Sequence, residues 1–291
     1  MTRIAAIQMC SSHNVSDNLA TAKMLIAEAA EHGAKLIVLP EMFAIMGASA
    51  TDKVALKEPY HSGHIQTFLA EQARNHSVWI VGGTIPISCE ADDSRVRAAS
   101  IVFNAAGNIV ARYDKVHLFD VVVSETESYR ESDTTEPGSE HVVVVDTPVG
   151  KLGLTVCYDL RFPEQFIALQ KAGAEIIAVP SAFTVKTGEA HWALLTRARA
   201  VDTFCYVVGA CQGGEHSGGR KTYGHSMIVD PWGVIQEEAP ASGNAVIYSE
   251  INLVALSEIR KRVPVAAHRE AASRRSETMG AKHSGPTTFG L

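Results

Sequence analysis

One stretch of this chain occurs twice. Gly33-Ala-Lys-Leu-Ile-Val-Leu-Pro40 and Gly173-Ala-Glu-Ile-Ile-Ala-Val-Pro180 are close copies in residue type and order. Each glycine follows a helical pattern, at 18–32 and at 164–172. Each proline stops a short apolar run that reads as a buried strand. The parallel extends in both directions. Strand-like runs at Ile4–Met9 and Leu152–Val156 precede the two helices. Further helical patterns at 65–75 and 192–202 lead into Val78-Trp-Ile-Val-Gly-Gly83 and Cys205-Tyr-Val-Val-Gly209. Two hairpin patterns close the series, Ser100-Ile-Val-Phe-Asn-Ala-Ala-Gly107 and Ser226-Met-Ile-Val-Asp-Pro-Trp-Gly233, each with a turn after an apolar strand. Matched features in one order indicate a duplication. The expected fold is α/β, with two pseudo-symmetric halves, each a sheet covered by helices. The halves pack sheet against sheet, which buries both sheets and accounts for continuous rather than alternating apolar runs. Because each half needs the other's apolar face, residues 1–264 form one domain. Residues 265–291 turn polar and small and are expected to form a tail, extended or packed on a partner subunit.

Bulk properties exclude several classes. At 46% hydrophobic and 20% charged over 291 residues, the chain carries a full globular core. Its 32 acidic and 26 basic residues give a formal charge of −6, which leaves no electrostatic footprint for nucleic acid. No run approaches the roughly 18 apolar residues of a membrane span. The opening Met1-Thr-Arg-Ile-Ala-Ala-Ile-Gln-Met9 is too short an apolar stretch for a signal peptide. Cys10, Cys89, Cys157, Cys205 and Cys211 form an odd, irregular set without a CxxC pair. That argues against disulfides and zinc and for a reducing cytoplasm.

Three residues stand where strands hand over to loops. Cys157 ends the run Leu152–Val156 beside a helix start with Pro163 in its first turn, at the edge where open α/β sheets bind ligands. By position alone it reads first as a buried structural thiol. Glu41 follows Pro40 and is either a first-turn carboxylate or a functional one. Lys115 lies in Val110-Ala-Arg-Tyr-Asp-Lys-Val-His-Leu-Phe-Asp120, where a lone lysine is commonly a solvated charge. Together they make a complete kit: a thiol nucleophile, a carboxylate to take its proton, and an ammonium to stabilise an oxyanion.

Leu-Pro-Glu41, Tyr-Asp-Lys115-Val-His-Leu-Phe-Asp and Val-Cys157-Tyr-Asp-Leu-Arg-Phe-Pro resemble the three catalytic motifs of the nitrilase, or carbon–nitrogen hydrolase, superfamily. The likeness covers about Ile4 to Val263 and keeps the motif order. It implies a four-layer αββα sandwich, in agreement with the duplication. Cys157-Tyr158-Asp159 differs from the Cys-Trp-Glu usual in nitrile hydrolases. The segments 180–192, 197–202 and 223–233 resemble the amidase branch, in particular the enzymes that cleave deaminated glutathione, with ω-amidases as near relatives. The resemblance implies hydrolysis of a small amide through a Cys157 thioester, with Glu41 as base and Lys115 plus the Tyr158 N–H around the oxyanion, and no cofactor or metal. It places a second glutamate at Glu131, in Glu131-Ser-Asp-Thr-Thr-Glu-Pro-Gly138, with Glu125, Glu127 and Glu136 as neighbours that blur the alignment. It also implies a homodimer or higher homo-oligomer. For the substrate's keto-acid carboxylate the candidate is Arg161, with an ion pair to Asp159 as the competing role. Thr187 is a candidate hydroxyl and Phe183 an apolar wall. Two other readings of the chain are an ω-amidase acting on 2-oxoglutaramate and a catalytically silent scaffold.

Other signals fall short. Gly224-His-Ser-Met-Ile228 lacks the closing glycine of a nucleophile elbow. Gln212-Gly-Gly-Glu-His-Ser-Gly-Gly-Arg220 lacks phosphate-loop spacing and reads as a mobile loop bordering the active-site mouth. His61-Ser-Gly-His64 has too few companions for a metal. Cys205 and Cys211 read as core thiols.

Overall fold

Two sheets carry the chain in the computed structural model, which describes residues 1–90, 92–125, 127–139 and 142–283. The first runs Ala245–Ile251, Thr2–Gln8, Leu36–Val38, Trp79–Val81, Val96–Phe103, Ile85–Ser88, with Ile109–Asp114 also paired to Val96–Phe103. The second runs Ile235–Glu238, Met227–Val229, Tyr206–Cys211, Ile176–Ser181, Gly150–Leu154, Val144–Thr147. In each, three consecutive parallel strands are followed by an antiparallel hairpin. Ile4 sits opposite Leu36 in one sheet and Leu152 opposite Ile176 in the other. The duplicated stretches therefore occupy equivalent strands of the two halves.

Alternation along a strand assigns the faces. Ile4, Ala6, Leu36 and Val38 join Leu152, Leu154 and Ile176 in the core between the sheets. Their neighbours Ala5, Ile7, Ile37 and Leu39 pack instead with helix residues Leu19, Ile26 and Leu69. Both faces of these strands are apolar because both are covered. Helices α1 (Val15–Glu31), α2 (Asp52–Ala55) and α3 (His64–His76) belong to the first half. Helices α4 (Pro163–Lys171) and α5 (Val185–Thr203) cover the second sheet, and α6 (Leu253–Arg262) and α7 (Val265–His283) follow the last strand. The architecture is the expected four-layer αββα sandwich. Among the described residues no helix is long and apolar enough to cross a membrane.

Several boundaries differ from expectation for identifiable reasons. Helix α1 begins earlier because the Asn14 side chain accepts hydrogen bonds from the Ser16 and Asp17 N–H groups. Helix α5 begins seven residues before the apolar pattern, at a Thr184 cap that accepts from Thr187 N–H. Its Gly188 looks like a breaker, yet a Cβ there would lie 2.2 Å from Tyr223 Cγ, so close packing requires the glycine. The expected extended stretch from 265 is helical through His283, and residues 284–291 lie outside the described ones. Ala, Glu and Arg are good helix formers, and this segment is rich in them.

Candidate active site

Three strand ends meet at one cavity of about 400 Å³. Glu41 lies just beyond Leu36–Val38 and Lys115 just beyond Ile109–Asp114, both from the first sheet. Cys157 comes from the second sheet. There the ladder Gly150–Leu154 ends, and Cys157 opens a short 3₁₀ turn, Cys157–Arg161. The turn forms because Asp159 Oδ2 accepts the Val156 N–H at 2.8 Å, pulling the chain off the sheet. Cys157 has φ of 48°, a left-handed conformation that a cysteine adopts only where its surroundings enforce it.

Lys115 is 2% exposed and holds the site together. Its Nζ donates to Glu41 Oε1 at 2.7 Å and to Glu131 Oε2 at 2.9 Å. Burial disfavours the ammonium, but Glu131, Glu41 and the neighbouring Cys157 hold it well above the ordinary lysine range, so it stays charged. Burial likewise opposes charge on Glu131, yet Lys115 and Lys53 keep its carboxyl below the usual range. The Cys157 thiol is pushed well above its ordinary value, first by burial and then by the Glu41 carboxylate, against the pull of Lys115 and an N–H from Ala182. Cys157 therefore rests as a thiol with a carboxylate in hydrogen-bond contact. Nucleophilic attack from this state requires proton transfer to that carboxylate.

The spacing Glu131 to Gly138 has a physical basis. Glu131 grips the Lys115 ammonium, while Gly138 N–H donates to the Lys115 carbonyl at 2.9 Å. A Cβ on Gly138 would lie 2.2 Å from the Asp114 carbonyl oxygen. Of the rival glutamates, Glu136 pairs with Arg95 and Glu127 accepts from the Tyr129 hydroxyl, so Glu131 is the one brought to Lys115. Glu131 Oε2 also accepts the Phe119 N–H at 2.7 Å.

A third buried carboxylate ties the Cys157 turn to the lysine loop. Asp159, with no exposure, accepts from Tyr113 Oη at 2.7 Å and from the His117 N–H at 3.2 Å. Its Oδ1 also lies 2.7 Å from His117 Nδ1. Tyr113 Oη in turn accepts from Gln165 Nε2 at 2.9 Å. Residues on both sides of Lys115 are thus fixed to the turn that presents Cys157. These partners were not legible in sequence, because they become neighbours only when the two sheets dock.

The competing role for Arg161, an ion pair with Asp159, is not formed, because the Asp159 carboxylate is taken by the Val156 N–H, Tyr113 and His117. Arg161 lines the cavity, over the rings of Tyr158 and Phe183 at 5.7 and 5.8 Å, with His191 Nδ1 3.3 Å from its Nη1. Phe183 forms a wall against Trp192. Tyr158 and Thr187 also line the cavity, but the Thr187 hydroxyl is already engaged by Thr184 at 2.9 Å. Tyr158 lies in the first turn of the 3₁₀ helix, where N–H groups lack an intrahelical acceptor. Lys53 and Arg220 line the same cavity, and sequence reasoning missed both. Arg220 ends the glycine-rich run read only as a loop near the mouth.

A strained thiol, a carboxylate in contact with it and a buried ammonium define a class of cysteine hydrolase. The chain belongs to the carbon-nitrogen hydrolase family, which matches residues 3–261. It is 43% identical to a Yersinia enterocolitica protein described as deaminated glutathione amidase, over 93% of each chain. Its fold matches the crystal structure of the Caenorhabditis elegans NitFhit protein with a TM-score of 0.85 at 36% identity, covering 92% of this chain and 64% of that one. It also matches Saccharomyces cerevisiae Nit3, a nitrilase-superfamily member, with a TM-score of 0.81 at 34% identity, covering 91% and 94%. The protein is an amidase, a hydrolase of carbon–nitrogen bonds in linear amides.

Proposed function

We propose that this amidase hydrolyses deaminated glutathione to 2-oxoglutarate and cysteinylglycine, with Cys157 as nucleophile and Glu41 as base. Glu41 takes the thiol proton as Sγ bonds to the amide carbon. The oxyanion that forms lies against Lys115 Nζ and the Tyr158 N–H, donors of a kind worth about 3 kcal/mol each in the transition state. Collapse breaks the C–N bond, and the proton on Glu41 passes to the leaving nitrogen. Water then attacks the thioester with Glu41 again as base, the C–S bond breaks, and the proton returns to sulfur. Glu131 keeps Lys115 charged and aimed. The keto-acid carboxylate sits against Arg161.

The observation that carries the substrate class is the charge of the cavity. Arg161, Arg220 and Lys53 line it; among the described residues none of them is in direct ion-pair contact with a carboxylate, and only Lys53 acts on one, Glu131, through space. Such a cavity suits an anionic amide. The likeness to the Yersinia protein supports the particular choice. The test is release of 2-oxoglutarate from deaminated glutathione and from 2-oxoglutaramate. Deaminated glutathione is expected to give the larger kcat/KM. A larger value for 2-oxoglutaramate would move the enzyme to ω-amidase chemistry, and no turnover of either would remove the substrate assignment.

The reading includes a homodimer or higher homo-oligomer working in a reducing cytoplasm. Leu194 and Val201 on α5 stay 66% and 44% exposed beside Trp232 at 60% and Val234 at 50%. Apolar residues so grouped support a covered surface. Sedimentation at micromolar concentration is expected to give at least a dimer mass, and a monomer there would remove this part. The tail beyond 264 belongs to the same proposal as a partner-contacting segment.

A further inference from the structure

Arg220 is one of the cavity cations that this chemistry leaves unused. Its guanidinium lies 5.3 Å from the Tyr129 ring centroid. Its Nη2 donates to the Ala182 carbonyl at 3.3 Å, and its Nη1 approaches the Met42 sulfur at 3.9 Å. Its Nε is buried without an acceptor. The two cavity carboxylates, Glu41 and Glu131, both face Lys115, and among the described residues none pairs with Arg220. A permanent charge with a buried, unsatisfied Nε–H is costly unless an anion satisfies it. The neighbours of Arg220 place it at the reaction centre, since Met42 follows Glu41 and the Ala182 N–H reaches the Cys157 sulfur. Arg161 stands elsewhere in the cavity, against Tyr158 and Phe183. The cavity thus offers two arginines with separate surroundings.

We propose that Arg220 binds the carboxylate on the leaving-amine side of the substrate. It thereby selects amides whose amine product is itself an acid over amides that release ammonia. The proposal rests on the substrate reading above. Deaminated glutathione carries a carboxylate on each side of the scissile amide, whereas 2-oxoglutaramate carries one, on the acyl side. Arg161 serves the acyl side in both, and Arg220 meets a ligand only in the first.

The test compares kcat/KM for deaminated glutathione, 2-oxoglutaramate and deaminated glutathione capped as its glycinamide. It uses wild type, Arg220→Met and Arg220→Lys. In Arg220→Met the ratio of deaminated glutathione to 2-oxoglutaramate is expected to fall roughly 10- to 100-fold, the scale of one charge-assisted hydrogen-bonded pair. Most of that fall is in KM, and Arg220→Lys restores part of it. Wild type loses a similar factor on the glycinamide, and Arg220→Met loses little more. An unchanged ratio, an equal loss on both keto acids, or a wild type indifferent to the glycinamide cap would each overturn the proposal. The cap comparison needs no variant and stands even if Arg220→Met does not fold. Wild type inactive on every substrate would overturn the substrate reading itself, whereas an active wild type with an unmoved ratio overturns only the role of Arg220.

Discussion

Cys157→Ala is expected to lower amide turnover by a factor on the order of 10⁴ or more, with the fold intact. The size follows from what remains. Without the thiol, Glu41 and Lys115 can still polarise water and a carbonyl, but no covalent intermediate splits the reaction, and residues acting as one unit fail together. Retained folding follows from the small volume lost at a residue 7% exposed beside a cavity already about 400 Å³ in volume. The check is 2-oxoglutarate release beside a thermal melt, together with intact mass of the wild type quenched during turnover, which is expected to show an acyl adduct on Cys157. Residual turnover within tenfold of wild type would remove the thioester route.

Lys115→Met carries the second large effect, and it acts on rate and stability together. Loss of the ammonium removes one oxyanion donor, worth roughly 10²- to 10³-fold in kcat. It also leaves Glu41 and Glu131 buried side by side without their shared cation, whose present distances are 2.7 and 2.9 Å. Breaking a buried pair in this way costs about 3 kcal/mol. The pH dependence of stability should reverse at the same time. In the wild type, Glu131 is held below its ordinary value. Its contribution is therefore present above the unfolded carboxyl pKa and lost as pH falls through the lower folded one. In Lys115→Met the two facing carboxylates repel, the folded pKa of the pair rises, and stability is lost as pH rises through it. Melting curves from pH 4.5 to 8 should show the variant closest to wild type at the acid end. A variant that falls away in parallel with wild type on acidification would refute this role for Lys115.

How much of this was legible depended on how local each signal was. The Gly33 and Gly173 stretches revealed the halves because strand, turn and stop are encoded within a few residues. Glu41, Lys115 and Cys157 were legible because each follows its strand directly. Glu131 was harder, since it reaches Lys115 through the hairpin Asp120–Ser124 and Glu127–Arg130, with other glutamates close by. Arg220 and Lys53 had no sequence signal, and Tyr113, His117 and Asp159 stood in the quoted motifs without any sign of their contact, because each depends on which loops meet when the sheets dock. The α7 helix was missed for a different reason. Its helix-forming residues lack an apolar stripe, and a run that turns polar and small reads as a tail.

The divided origin of the reaction centre has a consequence during synthesis. Glu41 and Lys115 emerge from the ribosome first, on the half that lacks Cys157. The Cys157 thiol comes later, on a turn that meets Glu41 only when the second sheet closes onto the first. A nascent or half-folded chain therefore carries the three groups without their contact, and under the proposed mechanism amide hydrolysis requires that the two sheets have docked.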